Sequence, residues 1–377
     1  MDPSTPVTPG PAPGHVSGPA HEDGAAPHPW FIYRGDGQLH AGIDRLPAPP
    51  PWRSFEHDED VDGAPALPVP TPPSGPVSGR PAAQARAESY RADQRVVETV
   101  NAAIYLRRPL LVTGKPGTGK SSLAASIAHE LGLGPVLTWA VTSRSTLEDA
   151  LYRYDAIGRL QEANLHHLRR DERPTGAAGD GGGEPLPDIG RYLRLGPLGT
   201  ALLPWPRPRV LLIDELDKSD IDLPNDLLNV FEEGQFELPE LTRLPEENAT
   251  VTVRTHDGGD CVIRRGRVRC RAFPIVVITS NREREFPPAF RRRCLPLDIQ
   301  PPGRAKLREI VTAQLGAAAL AENDHLLDVF LSTRETADVS TDQLLNLVFL
   351  AGAAEFPSPE LREQLQKVLL HPLEPSR

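Results

Sequence analysis

The chain has 377 residues and a formal net charge of −10, with five lysines against 36 arginines. That balance advertises no general polyanion-binding surface, so no nucleic acid is expected as a partner unless a local basic patch exists. No apolar run approaches the roughly 20 residues of a membrane span, and the opening MDPSTPVTPGPAPG has neither part of a secretion signal, so a cytoplasmic protein without a membrane segment is expected.

Residues 1–84 hold 19 of the 42 prolines and little periodic apolar pattern. Such a segment buries too little to offset its ordering entropy, and most of it is expected to be a disordered arm. An aromatic island at 28–55, HPWFIYRGDGQLHAGIDRLPAPPPWRSF, interrupts it with two of the four tryptophans. It reads either as a short arm packed on the main domain or as a docking peptide for a partner.

From about Ala85 the pattern becomes helical, with Val96, Val97, Val100, Ala103 and Ile104 on one stripe. RPLLVTG reads as a short buried strand and KSSLAASIAHELG as a helix ending at Gly132. GPVLTWAV is a second strand, followed by the Gly/Pro-rich loop Thr175–Gly190. RPRVLLIDE is a third strand. LPNDLLNVFEEG is a helix with Pro224 in its first turn and Gly234 at its C-cap. CVIRRGRVRCRAFPIVVITSN reads as a hairpin and then a fourth strand ending at Asn281. The three cysteines, Cys261, Cys270 and Cys294, lack metal-ligand spacing and fit reduced thiols. Beyond Pro301 only helical spacing recurs. The expected fold is therefore α/β, a P-loop-type parallel sheet domain over 85–300 with a small all-helical lid over 301–377.

Three motifs carry chemistry. Gly114, Lys115, Pro116, Gly117, Thr118, Gly119, Lys120 and Ser121 spell G-x-x-x-x-G-K-S between a strand and a helix, and Ser122 follows inside the helix. The glycines let successive N–H groups face one anion, and the helix N-terminus adds positive charge. Lys120 is expected to reach the β- and γ-phosphates of ATP, with the Ser121 hydroxyl on Mg²⁺. In RVLLIDELDKSD, four apolar residues deliver Asp214 to the carboxyl edge of the sheet, where it would hold the Mg²⁺ shell. Glu215 beside it can polarise a water for attack, which favours hydrolysis over group transfer. Asn281, at the end of the next strand, can orient that water without neutralising the base.

Together these motifs resemble the AAA+ ATPases, and specifically their MoxR branch. LIDELDKSDIDLPNDLLNVFEEGQFELPEL looks like that branch's Asp-Glu strand and following helix, and RYLRLGPLGTALLP looks like its insertion. The resemblance covers about 85–350; the Trp-Pro-rich arm resembles actinobacterial members. It implies an arginine in PPAFRRRC that projects onto a neighbouring subunit's nucleotide. Arg292 is the first choice and Arg293 the second. It also implies a ring, a hexamer being expected, and a protein substrate or adaptor, with a von Willebrand A domain protein foremost. The lid segment DVSTDQLLNLVFLAG departs from many relatives in having no arginine, and Arg334 lies upstream of it. The implied activity is Mg²⁺-dependent ATP hydrolysis coupled to remodelling of a partner. The alternative is an ATP-dependent switch or scaffold with slow turnover.

Overall fold

The computed structural model describes residues 29–55, 87–171, 188–337, 339–353 and 359–370. Most of the expected disordered arm and most of the Gly/Pro loop at 175–190 lie outside the described residues. The chain divides into residues 1–30 and 31–377. Of the first unit, Pro29 and Trp30 form a turn. All that follows concerns the second.

Helix α1 (Gln94–Leu106) begins where the Asp93 carboxylate accepts the Val96 N–H at 2.9 Å, and it buries the predicted apolar stripe. Strand β1 (Leu110–Thr113) leads through the glycine loop into α2 (Lys120–Glu130), and β2 (Leu137–Ala140) follows. The chain then makes α3 (Leu147–Leu151), β3 (Tyr152–Tyr154), α4 (Ala156–Asp171), β4 (Leu193–Leu195) and α5 (Pro197–Ala201). Strand β5 (Val210–Asp214) precedes α6 (Leu223–Glu233), which Gly234 ends in the left-handed conformation at φ 61°. Next come β6 (Gln235–Glu237), α7 (Pro239–Thr242), β7 (Thr250–Arg254), β8 (Asp260–Arg264), β9 (Arg267–Arg269) and β10 (Ile275–Ser280). Helix α8 (Pro288–Arg293) and β11 (Leu295–Asp298) close the domain. A helical C-terminal region follows: α9 (Arg304–Leu315), α10 (Ala317–Asn323), α11 (His325–Thr336), α12 (Thr341–Ala353) and α13 (Pro359–Leu369).

Five strands form a parallel sheet in the order β11-β1-β10-β5-β2. The expected α/β fold with a helical C-terminal region is present. Strand β10 is buried along its whole length, because it lies between β1 and β5 with packing on both faces. A second, six-stranded sheet in the order β3-β4-β7-β8-β9-β6 was largely invisible in the sequence, where only the β8–β9 hairpin stood out. Four of its strands are three residues long, too short for alternation to register. The three cysteines are buried, and burial pushes each thiol up to about 12. No helix among the described residues is long and apolar enough to cross a membrane.

Residues 31–55 pack on the sheet domain. Ile32, Tyr33 and Ile43 join the apolar cluster formed by α1, α2 and the sheet. The Asn101 amide accepts the N–H groups of Ile32 and Tyr33 at 2.7 and 3.0 Å and donates to the Tyr33 carbonyl at 2.7 Å. The Glu130 carboxylate, fully buried at the end of α2, accepts from the backbone of Arg34, Gly35 and Gly37 and bonds the His40 ring at 3.1 Å. Burial raises this carboxyl above the ordinary range, while the Arg34 N–H and His40 oppose that rise. Gly35 and Gly37 have φ of 72° and 70°, which lets the loop turn its N–H groups inward. At the other end of this segment Phe55 stacks on Phe273 at 5.4 Å. Glu130→Ala would orphan these buried donors and is expected to cost about 3 kcal/mol, several degrees of melting temperature. An unchanged denaturant midpoint would show that the loop is not held by this carboxylate.

Candidate nucleotide site

Strands β1, β5 and β10 deliver their motifs to one edge because they are parallel and in register. Thr113 lies beside Ser280, and Ile278 beside Ile213. The loops beyond their carboxyl ends therefore converge, as ligand-binding loops do in open α/β sheets. Gly114, Gly117 and Gly119 have φ of 152°, 73° and 88°, values that side chains rarely adopt. A Cβ at Gly117 would also lie 2.4 Å from that of Ser340, immediately before α12. The glycine loop is thus shaped to turn its backbone inward and to let the helical region approach it.

Lys120 is almost fully buried and donates to the carbonyls of Gly114 and Lys115 at 2.8 and 2.9 Å. Its third bond, at 2.7 Å, goes to the side-chain oxygen of Asn281. Burial lowers the pKa of this ammonium, and Asp217, Asp214 and Glu215 in turn oppose the fall. The Asn281 amide nitrogen donates to Glu215 Oε1 at 3.2 Å. Asn281 therefore links the loop's cation to the carboxylate of the Asp-Glu pair.

Ser121 Oγ donates to Asp214 Oδ1 at 2.7 Å, and Thr279 Oγ1 donates to the same oxygen at 2.7 Å. Thr279 also accepts the Glu215 N–H at 2.8 Å, so one hydroxyl fixes both acidic residues. Hydroxyl and carboxylate oxygens are the donor set that Mg²⁺ prefers, and Ser121 with Asp214 fits such an ion. Glu215 itself is held at φ 58°, an unusual conformation for a non-glycine residue. Its second oxygen, Oε2, accepts from Lys218 at 2.7 Å, and that bond raises the lysine's pKa.

A cavity of about 560 Å³ runs along this edge. Pro116 to Ser122, Asp214, Glu215, Thr279 and Asn281 line one side; Ser89 to Arg91, Asp93 and Val96 close another. Lys306, Ile310 and Gln314 of α9, with Thr341, Asp342 and Leu345 of α12, supply the helical wall. A second cavity of about 560 Å³ shares Glu215 with the first and is bounded by Ala140–Ser143, Asp217, Lys218, Glu283 and Arg284. Glu215 thus stands between the nucleotide-sized space and a second opening.

Most of the predicted residues meet here, but not all. Gly114 and Lys115 lie behind the cavity, offering carbonyls to Lys120. The Lys115 side chain lines a small neighbouring cleft with Pro302 and Arg334. Arg334 donates to the Pro302 carbonyl at 2.8 Å from α11 and does not line the large cavity. Arg292 and Arg293 do not line it either. The Arg293 side chain is paired with Glu232. Arg292 is exposed, and its side chain makes no hydrogen bond or ion pair among the described residues. Sequence reading missed Thr279, Asp217 and the Ser89–Asp93 wall. Asp217 is buried and accepts the N–H groups of Asn281 and Glu283 at 2.9 and 3.0 Å, which fixes where Asn281 begins. Its signal was a third carboxylate in LIDELD, indistinguishable there from an exposed turn residue.

Residues 109–294 match the family model described as AAA domain (dynein-related subfamily). That segment runs from the start of β1 to the end of α8 and contains the glycine loop, the Asp-Glu pair, Asn281 and the arginine cluster. The likeness to an AAA domain spans just under half of the chain and supports nucleotide binding and an ATP-dependent activity. No curated protein matches the chain significantly. Lys120→Ala removes the cation from a site whose acceptors converge on it, and it is expected to abolish ATP binding by isothermal titration. Unchanged affinity would remove the nucleotide assignment.

Proposed function

We propose that the chain is a Mg²⁺-dependent ATP hydrolase of the AAA+ MoxR type that assembles into a ring and remodels a protein partner. The observation that carries this reading is the Lys120–Asn281–Glu215 connection, since binding alone does not need a carboxylate tied to the phosphate-facing cation. Lys120 and the loop N–H groups would bind the β- and γ-phosphates. Ser121 and Asp214 would hold Mg²⁺, whose charge offsets the charge developing on the phosphoryl oxygens. Asn281 would orient a water against Glu215, and Glu215 would take its proton. The position of Glu215 at the second opening supports delivery of that water.

Charge on the leaving side needs a further cation. None of Arg291, Arg292 and Arg293 lines its own chain's cavity, which favours action on a neighbour. Arg292 is preferred over Arg293, whose side chain Glu232 already holds. A finger supplied in trans requires a neighbouring subunit; by resemblance a hexameric ring is the expected assembly and a von Willebrand A domain protein the foremost partner. The second reading, a slow nucleotide switch, is favoured by one observation: Lys218 occupies an oxygen of the proposed base at 2.7 Å. Turnover separates the two.

Glu215→Gln is expected to keep ATP affinity and lower kcat by about 10²-fold or more, the usual cost of losing a general base. Turnover close to wild type would mean that the water is activated elsewhere.

The trans arrangement has its own test. Arg292→Ala should bind ATP but hydrolyse it poorly, losing about 10³-fold or more. Mixed with Lys120→Ala, it should regain part of the activity, because some interfaces then pair an intact glycine loop with an intact arginine. Mixtures that co-assemble by sedimentation yet stay inactive would rule out a finger in trans.

A further inference from the structure

The six-stranded sheet places together three arginines that are far apart in the chain. Arg153 of β3 is directly opposite Arg194 of β4, and Arg194 is directly opposite Arg254 of β7. Along the strands Tyr152, Leu193, Leu195, Val253 and Thr255 are buried, so alternation turns all three arginines outward. Adjacent strands are about 4.8 Å apart, which makes a row of guanidinium groups about 10 Å long across the exposed face. Like charges directly opposite one another weaken a sheet.

The chain does little to neutralise the row. Arg153 approaches Asp149 at 3.6 Å with its side chain 77% exposed, a weak screened pair. Arg194 donates to the His256 carbonyl at 2.9 Å, which cancels no charge. The Arg254 side chain makes no hydrogen bond or ion pair among the described residues, although Asp260 stands opposite it on β8. The His256 ring reports the crowding: burial first, then Arg194, hold its pKa below the ordinary histidine range, and Arg153 adds to this while Asp257 opposes it. A concentrated positive row in a chain of net charge −10 is a local departure from the whole.

We propose that this arginine row is the docking surface for an acidic, Asp/Glu-rich segment of a partner protein. Arginine forks donate to carboxylates in bidentate pairs, and such a segment laid across the strands would relieve the repulsion. Two observations favour a protein segment over a nucleic acid. The outward positions of these strands offer no aromatic ring on which bases could stack. Helix α4 begins two residues after β3 and exposes Ile157, Leu160 and Leu165, which suit apolar side chains and not phosphates. This proposal rests on the reading that the chain acts on a protein partner.

The test titrates the full chain with a labelled peptide of about a dozen residues, an Asp-Glu-Leu repeat, followed by fluorescence polarisation. The peptide is expected to bind at low salt and to weaken as salt rises. The Arg194→Ala/Arg254→Ala variant is expected to weaken binding about tenfold, whereas Arg267→Ala, already paired with Glu237 at 3.0 Å, changes it about threefold or less. The melting temperature of the double variant should not fall, because the substitutions relieve repulsion; this separates lost docking from lost folding. No binding by the wild type, or equal binding by the double variant, overturns the proposal. Tighter arginine-dependent binding of an oligothymidylate also overturns it and makes the row a nucleic-acid surface. Peptide binding in a wild type that fails to hydrolyse ATP would sink the hydrolase reading and leave this one standing.

Discussion

Asn281 can bridge Lys120 and Glu215 only because three parallel strands end level with one another, and the arrangement of the sheet domain serves that alignment. A slip of one residue between β5 and β10 would turn Thr279 away from Asp214 and carry Asn281 out of reach of the lysine. The register is secured by burial, since β10 has no exposed face to exchange. Packing therefore sets the geometry in which a buried ammonium, an amide and a carboxylate meet within hydrogen-bond distance.

The alignment is held against local cost. Glu215 and Arg282 both adopt left-handed backbone conformations, at φ 58° and 64°, each worth on the order of 1–3 kcal/mol for a non-glycine residue. They flank the site on its two contributing loops, and both are tied down. Thr279 holds the Glu215 N–H, and Asp298 pairs with the Arg282 side chain. Asp217 fixes the backbone between them by accepting from Asn281 and Glu283. Strain at a proposed base and beside its amide partner is consistent with function determining the backbone there, with surrounding hydrogen bonds maintaining it.

What the sequence made legible follows from how each feature is encoded. The glycine loop, the Asp-Glu strand and the strand ending at Asn281 are contiguous words with a strong physical constraint at every letter. They could be placed without a structure. The six-stranded sheet is encoded in three-residue strands, such as Leu193–Leu195, whose partners lie dozens of residues away. Neither periodicity nor turn chemistry marks such pairings. For the same reason Arg153, Arg194 and Arg254 looked like scattered surface charge, and their cross-strand register became visible only in three dimensions. Thr279 and Asp217 were missed differently: both lie inside recognised motifs, but their roles depend on which way each side chain turns. The packing of 31–55 was an open choice in the sequence, because an aromatic run is equally costly to expose whether it meets its own domain or another.

Arginine serves three physically distinct ends in this lysine-poor chain. Arg209 is buried beside Asp257 at 2.9 Å and over the Trp205 ring at 4.8 Å, where it joins the β7–β8 turn to the base of β5. Arg293 is held by Glu232, whereas Arg292, one residue earlier, is left exposed. The row on β3, β4 and β7 is set in like-charge register, the least favourable arrangement for the sheet itself. A guanidinium offers a planar fork that a lysine lacks. Burial and pairing explain the first use from within the fold. Arg292 and the row have no sufficient partner among the described residues, and we propose that other molecules supply one: a neighbouring copy for Arg292 and an acidic segment for the row.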